Sequence, residues 1–175
     1  VWMGLEGKES RYTKLKGVDT LELVKTLQSH GIRVLGSSII GLEEHTPENM
    51  NDVINDAVGH NTVFHQFMLY TAIDGTPLHR QLKSQNKLLS EDQFPLADTH
   101  GQFRFNYKHA TIPQGREEQL LLDAFQKDFD ENGPSLFRLI RVLLSGWQKY
   151  KNHPDQRVRD RVNREVHPVR LTYAG

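Results

Sequence analysis

The chain contains no cysteine. That excludes disulfides, thiol nucleophiles and any thiolate-bound metal or iron–sulfur cluster held by these residues alone. It also lacks an excess of either charge, because 22 basic and 22 acidic residues cancel. No overall field therefore directs it to nucleic acid or to an acidic substrate. No apolar run is long enough to cross a bilayer, and no stretch has the layout of a signal peptide, so a cytoplasmic location and no membrane partner are expected. The first residue is Val1 rather than Met, and it falls inside the apolar VWMGLE. A chain that opens within an expected strand reads as a piece of a larger protein. Its 175 residues suffice for one good core, or one core with an appendage.

What is present alternates. Val1–Leu5 reads as a strand. Asp19 can cap a helix that carries Leu23, Val24 and Leu27 on one face, with Gly31 as its stop. Ile32–Ile40 reads as a second strand. Thr46 then caps a helix with Pro47 at its first position and Met50, Val53, Ile54, Ala57 and Val58 as one buried stripe. Val63–Tyr70 is the third strand, and Thr76-Pro77 repeats the cap-plus-proline start before Leu78 and Leu82. Strand, helix, strand, helix with short connections implies parallel pairing, in an open sheet or in part of a (β/α) barrel. The fold class expected is α/β, with about three βα units over residues 1–88.

Residues 89–113 have no sustained period and form an irregular connecting segment. Residues 114–175 read as an α-helical C-terminal region. Leu120, Leu121, Ala124, Phe125 and Phe129 share one face of a helix from Arg116, ended by Asn132–Pro134. Leu136, Ile140, Leu143, Leu144 and Trp147 mark a second helix. A third, short and very polar, starts after Pro154.

The stretch GSSIIGLEEHTPENM, residues 36–50, raises the functional question. A buried strand is ordinarily filled with branched aliphatics. Small residues at a strand end let something approach the backbone closely. Three segments sit where strands give way to loops, the usual ligand position in α/β folds. They are GLEGKES, IIGLEEHTP and LYTAIDGTPL, and each combines glycine with a carboxylate.

Taken in order, these segments resemble the later half of a radical S-adenosylmethionine (SAM) enzyme barrel, in the Fe-S oxidoreductase class whose members often carry a cobalamin-binding domain upstream. The family pattern Gly-x-Ile-x-Gly-x-x-Glu is met by Ile39, Gly41 and Glu44, with Ser37 in place of the first glycine. A Tyr-x-Pro-x-Pro-Gly-Thr-Pro-Leu-like segment is met by Tyr70, Gly75, Thr76, Pro77 and Leu78, with Ala72 and Asp74 where prolines are common. Gly4-Leu5-Glu6 resembles a SAM-contacting Gly-x-Glu element.

The resemblance implies a partial (β/α) barrel, SAM and a [4Fe-4S] cluster as cofactors of the full-length protein, and cobalamin where methyl transfer is involved. It implies reductive cleavage of SAM to a 5′-deoxyadenosyl radical and hydrogen abstraction from a small-molecule substrate. Glu6 would bond the amino or ribose groups of SAM. Ile39 would touch the adenine, Gly41 would let backbone groups reach it, and Met68, Leu69 and Tyr70 would complete its wall. Glu44 would contribute to the same site or accept N–H groups at the next helix start. Ser38 and Gln66 are polar within apolar runs: they face a lumen, Ser38 beside SAM and Gln66 toward substrate, or they are satisfied core residues. No catalytic residue is assigned. Without cysteine this stretch would retain no cofactor alone, its partner would be the N-terminal part of the same protein, and an uncovered sheet edge would favour self-association.

The histidines His60, His65, His100 and His109 lack the close spacing of a metal site, so no metal ligand is expected. The FNYKH segment with His100-Gly101 suits a cap on one end of the barrel or a substrate contact. The second functional class is a non-catalytic binding domain. Between Arg138 and Arg170 nine basic residues face Asp155, Asp160 and Glu165, a surplus that could meet nucleic acid or a partner protein. A solvated helical face is the expectation there, and nucleic acid is not expected as a partner.

Overall fold

Alternating side chains decide how the strands lie. In the computed structural model, which describes residues 1–5, 17–100 and 102–173, β1 (Trp2–Gly4), β2 (Leu35–Ile40) and β3 (Phe64–Leu69) form a parallel sheet in the order β1-β2-β3. Helices α1 (Thr20–Ser29), α2 (Met50–Gly59) and α3 (Pro77–Ser84) follow the successive strands, and α4 (Arg116–Asn132), α5 (Ser135–Tyr150) and α6 (Gln156–Tyr173) complete the described chain. Roughly half the chain is helical, and the α/β class stands as expected. Among the described residues no helix is long and apolar enough to cross a membrane.

The register pairs Gly36 with His65, Ser38 with Phe67 and Ile40 with Leu69, and neighbours in a parallel ladder share a face. That face carries the core. Ile40, Phe67 and Leu69 pack against Met50, Ile54 and Val58 of α2 and Leu121 and Ala124 of α4. Met3 and Leu5 pack with Val24 and Leu27 of α1. All three helices therefore cover one side of the sheet. The opposite face carries Trp2, Leu35, Ser37, Ile39, Phe64, Gln66 and Met68. There Trp2 is 67% and Phe64 43% exposed.

The helix caps follow local chemistry. Asp19 Oδ1 accepts from Glu22 N–H at the start of α1, and Thr76 Oγ1 accepts from His79 N–H with Pro77 opening α3. The second helix departs from expectation. It begins at Met50, because Thr46 and Asn49 bond each other reciprocally (Thr46 N–H to Asn49 Oδ1, 2.8 Å; Asn49 N–H to Thr46 Oγ1, 3.4 Å) and hold residues 46–49 as a turn. The third C-terminal helix is not short either: α6 runs 18 residues, with Pro168 inside it. On α4 the buried stripe is Glu117, Leu121, Ala124 and Asp128, while Phe125 and Phe129 stay exposed. The helix is rotated from its most apolar face because Asp128 forms a buried ion pair with Arg138 of α5 (2.7 Å; 8% and 3% exposed).

The helical region is not a detached lobe. Leu121 and Ala124 share a core with the sheet, and α5 meets the end of α1 so closely that a Cβ on Gly31 or Gly146 would lie 2.6 Å from the other's Cα. The irregular segment joins the same core through Phe105, Tyr107 and Ile112.

Candidate functional site

The open face is built in rows. Gly4, Ser37 and Gln66 are aligned across the three strands, and Ile39 and Met68 form the next row toward the strand tips. Gln66, Ile39 and Met68 are half-buried, and Ser37 is buried at 8% exposure. Tyr70 follows, held by its N–H to the Ile40 carbonyl (2.8 Å). An apolar Ile–Met pair beside a Ser–Gln pair is a surface that can flank a flat, polar-edged ring. Glu6 lies outside the described residues.

Two other residues expected at the site point elsewhere. Ser38 is on the helix-covered face, 5% exposed. It accepts a hydrogen bond from His65 Nε2 (3.0 Å) and donates to the Leu5 carbonyl (3.2 Å), so a buried relay runs from β3 through β2 to the residue that follows β1. Of the two readings offered for Ser38, its partners fit the satisfied core residue and not the lumen: a strand alternates every residue, and Ser38 is one step out of phase with Gln66. Leu69 is fully buried in the same core and cannot wall a ligand on the open side. Glu44 stays near the turn before α2. Its backbone carbonyl accepts from Asn49 Nδ2 (3.0 Å), and its charge opposes the fall in the pKa of His45.

What approaches the small residues of β2 is the protein itself. A Cβ on Gly36 would meet Leu5 Cδ1 at 2.7 Å and Thr62 Cγ2 at 2.9 Å. At Gly41, where φ is +83°, it would lie 2.3 Å from Phe105 Cζ. Both polar groups of Gly41 are also engaged: its N–H donates to His45 Nδ1 (3.0 Å), and its carbonyl accepts from Tyr107 Oη (3.3 Å). The expected approach of adenine to the Gly41 backbone is therefore replaced, on the helix side, by an aromatic side chain of the chain.

Phe105 and Tyr107 belong to a strap, residues 102–112, drawn over the ends of β2 and β3. Gln102 O accepts from Leu69 N–H on the outer edge of β3 (3.1 Å). Asn106 binds the backbone of Ala72 at two points, accepting from its N–H (2.9 Å) and donating to its carbonyl (2.8 Å). Thr111 Oγ1 donates to the His45 carbonyl (2.8 Å). The FNYKH segment thus caps the strand ends. The expected cap took in Phe105 and Asn106 as part of FNYKH, but not the contact each makes, because loop sequence has no periodicity.

Two histidines lock this arrangement as neutral rings. His45 Nδ1 accepts from Gly41 N–H and from Leu42 N–H (3.2 Å), which places the proton on Nε2. His109 Nδ1 accepts from Ile112 N–H (3.1 Å) and Thr111 N–H (3.2 Å), and its Nε2–H donates to the Leu42 carbonyl (3.3 Å). Burial lowers the pKa of both. Burial also lowers that of His65, to about 4. Nearby Glu117, in the first turn of α4, is 1% exposed, and its Oε2 has no hydrogen-bond partner among the described residues.

The space between β2 and α2 is small. Leu5, Ser38, Ile39, Leu42 and His45 help line a cavity of about 20 Å³, room for about one water. That space does not admit a SAM-sized ligand. Among the described residues no group of three His, Asp or Glu side chains comes together to hold a metal ion.

Much of the basic C-terminal surplus is used internally. Arg138 pairs with Asp128, Arg157 with Asp155 (2.9 Å) and Arg161 with Glu165 (3.1 Å), while Arg159 binds the carbonyls of His153 and Pro154. No family model, curated protein or solved structure matches the chain.

Proposed function

We propose that this chain is the later part of a radical SAM-type (β/α) barrel in an Fe-S oxidoreductase or methyltransferase-like enzyme, and that the open sheet face contributes the adenine and ribose side of the SAM site. The observation that carries this is one-sided coverage. Three parallel strands pack their helices on the face of Ile40, Phe67 and Leu69, and the other face carries half-buried Ile39, Met68 and Gln66 beside buried Ser37. In a barrel that second face is the lumen.

The residues fit SAM in part. Ile39 and Met68 supply apolar contact for a purine, Gln66 supplies a donor and an acceptor toward substrate or ribose, and Tyr70 closes the row. The strap, through Asn106 on Ala72, holds the segment after Tyr70 in place. The residues do not fit a [4Fe-4S] cluster, since the chain has no thiolate, and no step through a cluster is assigned to them. Cluster ligands and the remaining strands would come from further sequence of the same protein, docking on the open sheet. Cobalamin, where methyl transfer is involved, and a small molecule as the substrate are what the resemblance implies.

The test uses the full-length protein. Anaerobic reconstitution with iron and sulfide, reduction, and addition of SAM should yield 5′-deoxyadenosine, and Ile39→Glu should suppress that yield without loss of bound iron. Absence of both iron–sulfur absorbance and 5′-deoxyadenosine would reject the assignment.

A further inference from the structure

A second concavity lies at the opposite end of the strands and owes nothing to the reading above. The end of α1, residues 31–33 leading into β2, and helices α5 and α6 enclose a cleft of about 1140 Å³. That is slightly above the usual size range of small-molecule sites, about 300–1,000 Å³. Its floor is aliphatic, with Leu27, Ile32, Leu143, Val158 and Val162 facing the space.

Charge at the lip is unbalanced. Three guanidiniums line the cleft, from Arg33, Arg157 and Arg161, against two carboxylates, Asp155 and Glu165. Asp155 is taken by Arg157 at 2.9 Å. Glu165 is shared: Arg161 Nε donates to its Oε1 at 3.1 Å, and Arg33 reaches its Oε2 only at 3.9 Å. Arg33 thus stands half-exposed with a loose, already engaged counter-ion at the edge of an apolar trough. A guanidinium in that state is suited to a carboxylate or phosphate, which it can grip with two parallel N–H groups.

We propose that this cleft binds a single-chain anionic amphiphile, a medium-length alkyl chain in the trough with a carboxylate or phosphate head at Arg33. A nucleic acid strand suits the cleft less well. The Trp147 ring already carries Lys151 Nζ at 4.8 Å from its centroid, and its Nε1 donates to Asn163 (2.8 Å), so no bare platform is offered to a base.

Decanoate, below its micellar concentration, is the probe. The chain has two tryptophans, so a Trp2→Phe variant leaves Trp147 as the fluorescent reporter inside the cleft. Titration should give a saturable change. Octanoate should bind about 15-fold more weakly, since each methylene contributes about fourfold. Decanol, which lacks the charge, should bind at least about tenfold more weakly, as should decanoate to Arg33→Gln. Decyl phosphate measured beside decanoate identifies the head group from the tighter of the two. Arg33 is half-exposed, so Arg33→Gln should keep the parent melting curve. No saturable response, equal affinity for decanol, indifference to Arg33→Gln, or displacement of decanoate by a thymidine oligonucleotide would each overturn the proposal.

Discussion

Replacing Gly41 by alanine tests the contact on which the strap depends. Two costs add. A left-handed backbone, here φ +83°, costs an L-residue about 1–2 kcal/mol. The new Cβ would also sit 2.3 Å from Phe105 Cζ and 2.4 Å from Cε1. Phe105 is buried among Ile40, Leu69, Tyr107 and Ile112, so its ring has no free space to enter, and overpacking of this kind costs about 1–3 kcal/mol. Gly41→Ala should therefore destabilise the fold by about 2–5 kcal/mol. Phe105→Leu removes the ring's outer carbons, the atoms in conflict, at a transfer cost of about 2 kcal/mol. In that background Gly41→Ala should cost only the backbone strain, about 1–2 kcal/mol. Urea unfolding of the four proteins closes a double-mutant cycle, with an expected coupling of about 1–3 kcal/mol. Equal cost of Gly41→Ala in both backgrounds would refute the steric account.

Stability should fall with pH below neutrality. The folded-state pKa of His65 is held at about 4 against 6.5 for a free histidine, so the unfolded chain takes up the proton first. The contribution is complete above pH 6.5 and is lost as pH falls toward 4, amounting to about 3 kcal/mol; buried His45 and His109 act in the same direction. His65→Gln should flatten the dependence between pH 7 and 5 in urea titrations, and an unchanged slope would exclude His65 as its source. Ser38→Ala should cost about 1–3 kcal/mol by leaving His65 Nε2–H and the Leu5 carbonyl unpaired; a change within about 0.5 kcal/mol would show the relay to be dispensable. Arg138→Met should cost about 3–5 kcal/mol by stranding Asp128, and adding Asp128→Leu should restore most of the loss. Failure of that rescue in thermal melts would mean that the pair does more than neutralise itself.

Local signals were legible where they act locally. Asp19 and Thr76 announce their helices because a side-chain oxygen and a nearby N–H suffice for a cap. The three strands follow from apolar runs. Phase was harder: Ser38 and Gln66 look alike as polar residues in such runs, but only the register and the helix layer place one in the core and the other on the open face. Small residues in β2 correctly signalled close approach. Their partners, Leu5, Thr62 and Phe105, are distant in sequence, and no local pattern names them. The rotation of α4 was illegible for a similar reason, since Asp128 becomes a core residue only when Arg138 is opposite it.

The bare contact between Gly31 and Gly146 has a mechanical consequence. Because two backbone segments touch there through hydrogen atoms alone, α5 is seated against the end of α1 like a hinge pin without clearance, and the trough above it takes its depth from two missing methyl groups. Alanine at either position would pry the helices apart and reshape the groove from below, so the geometry at this end of the molecule is set by what those residues omit.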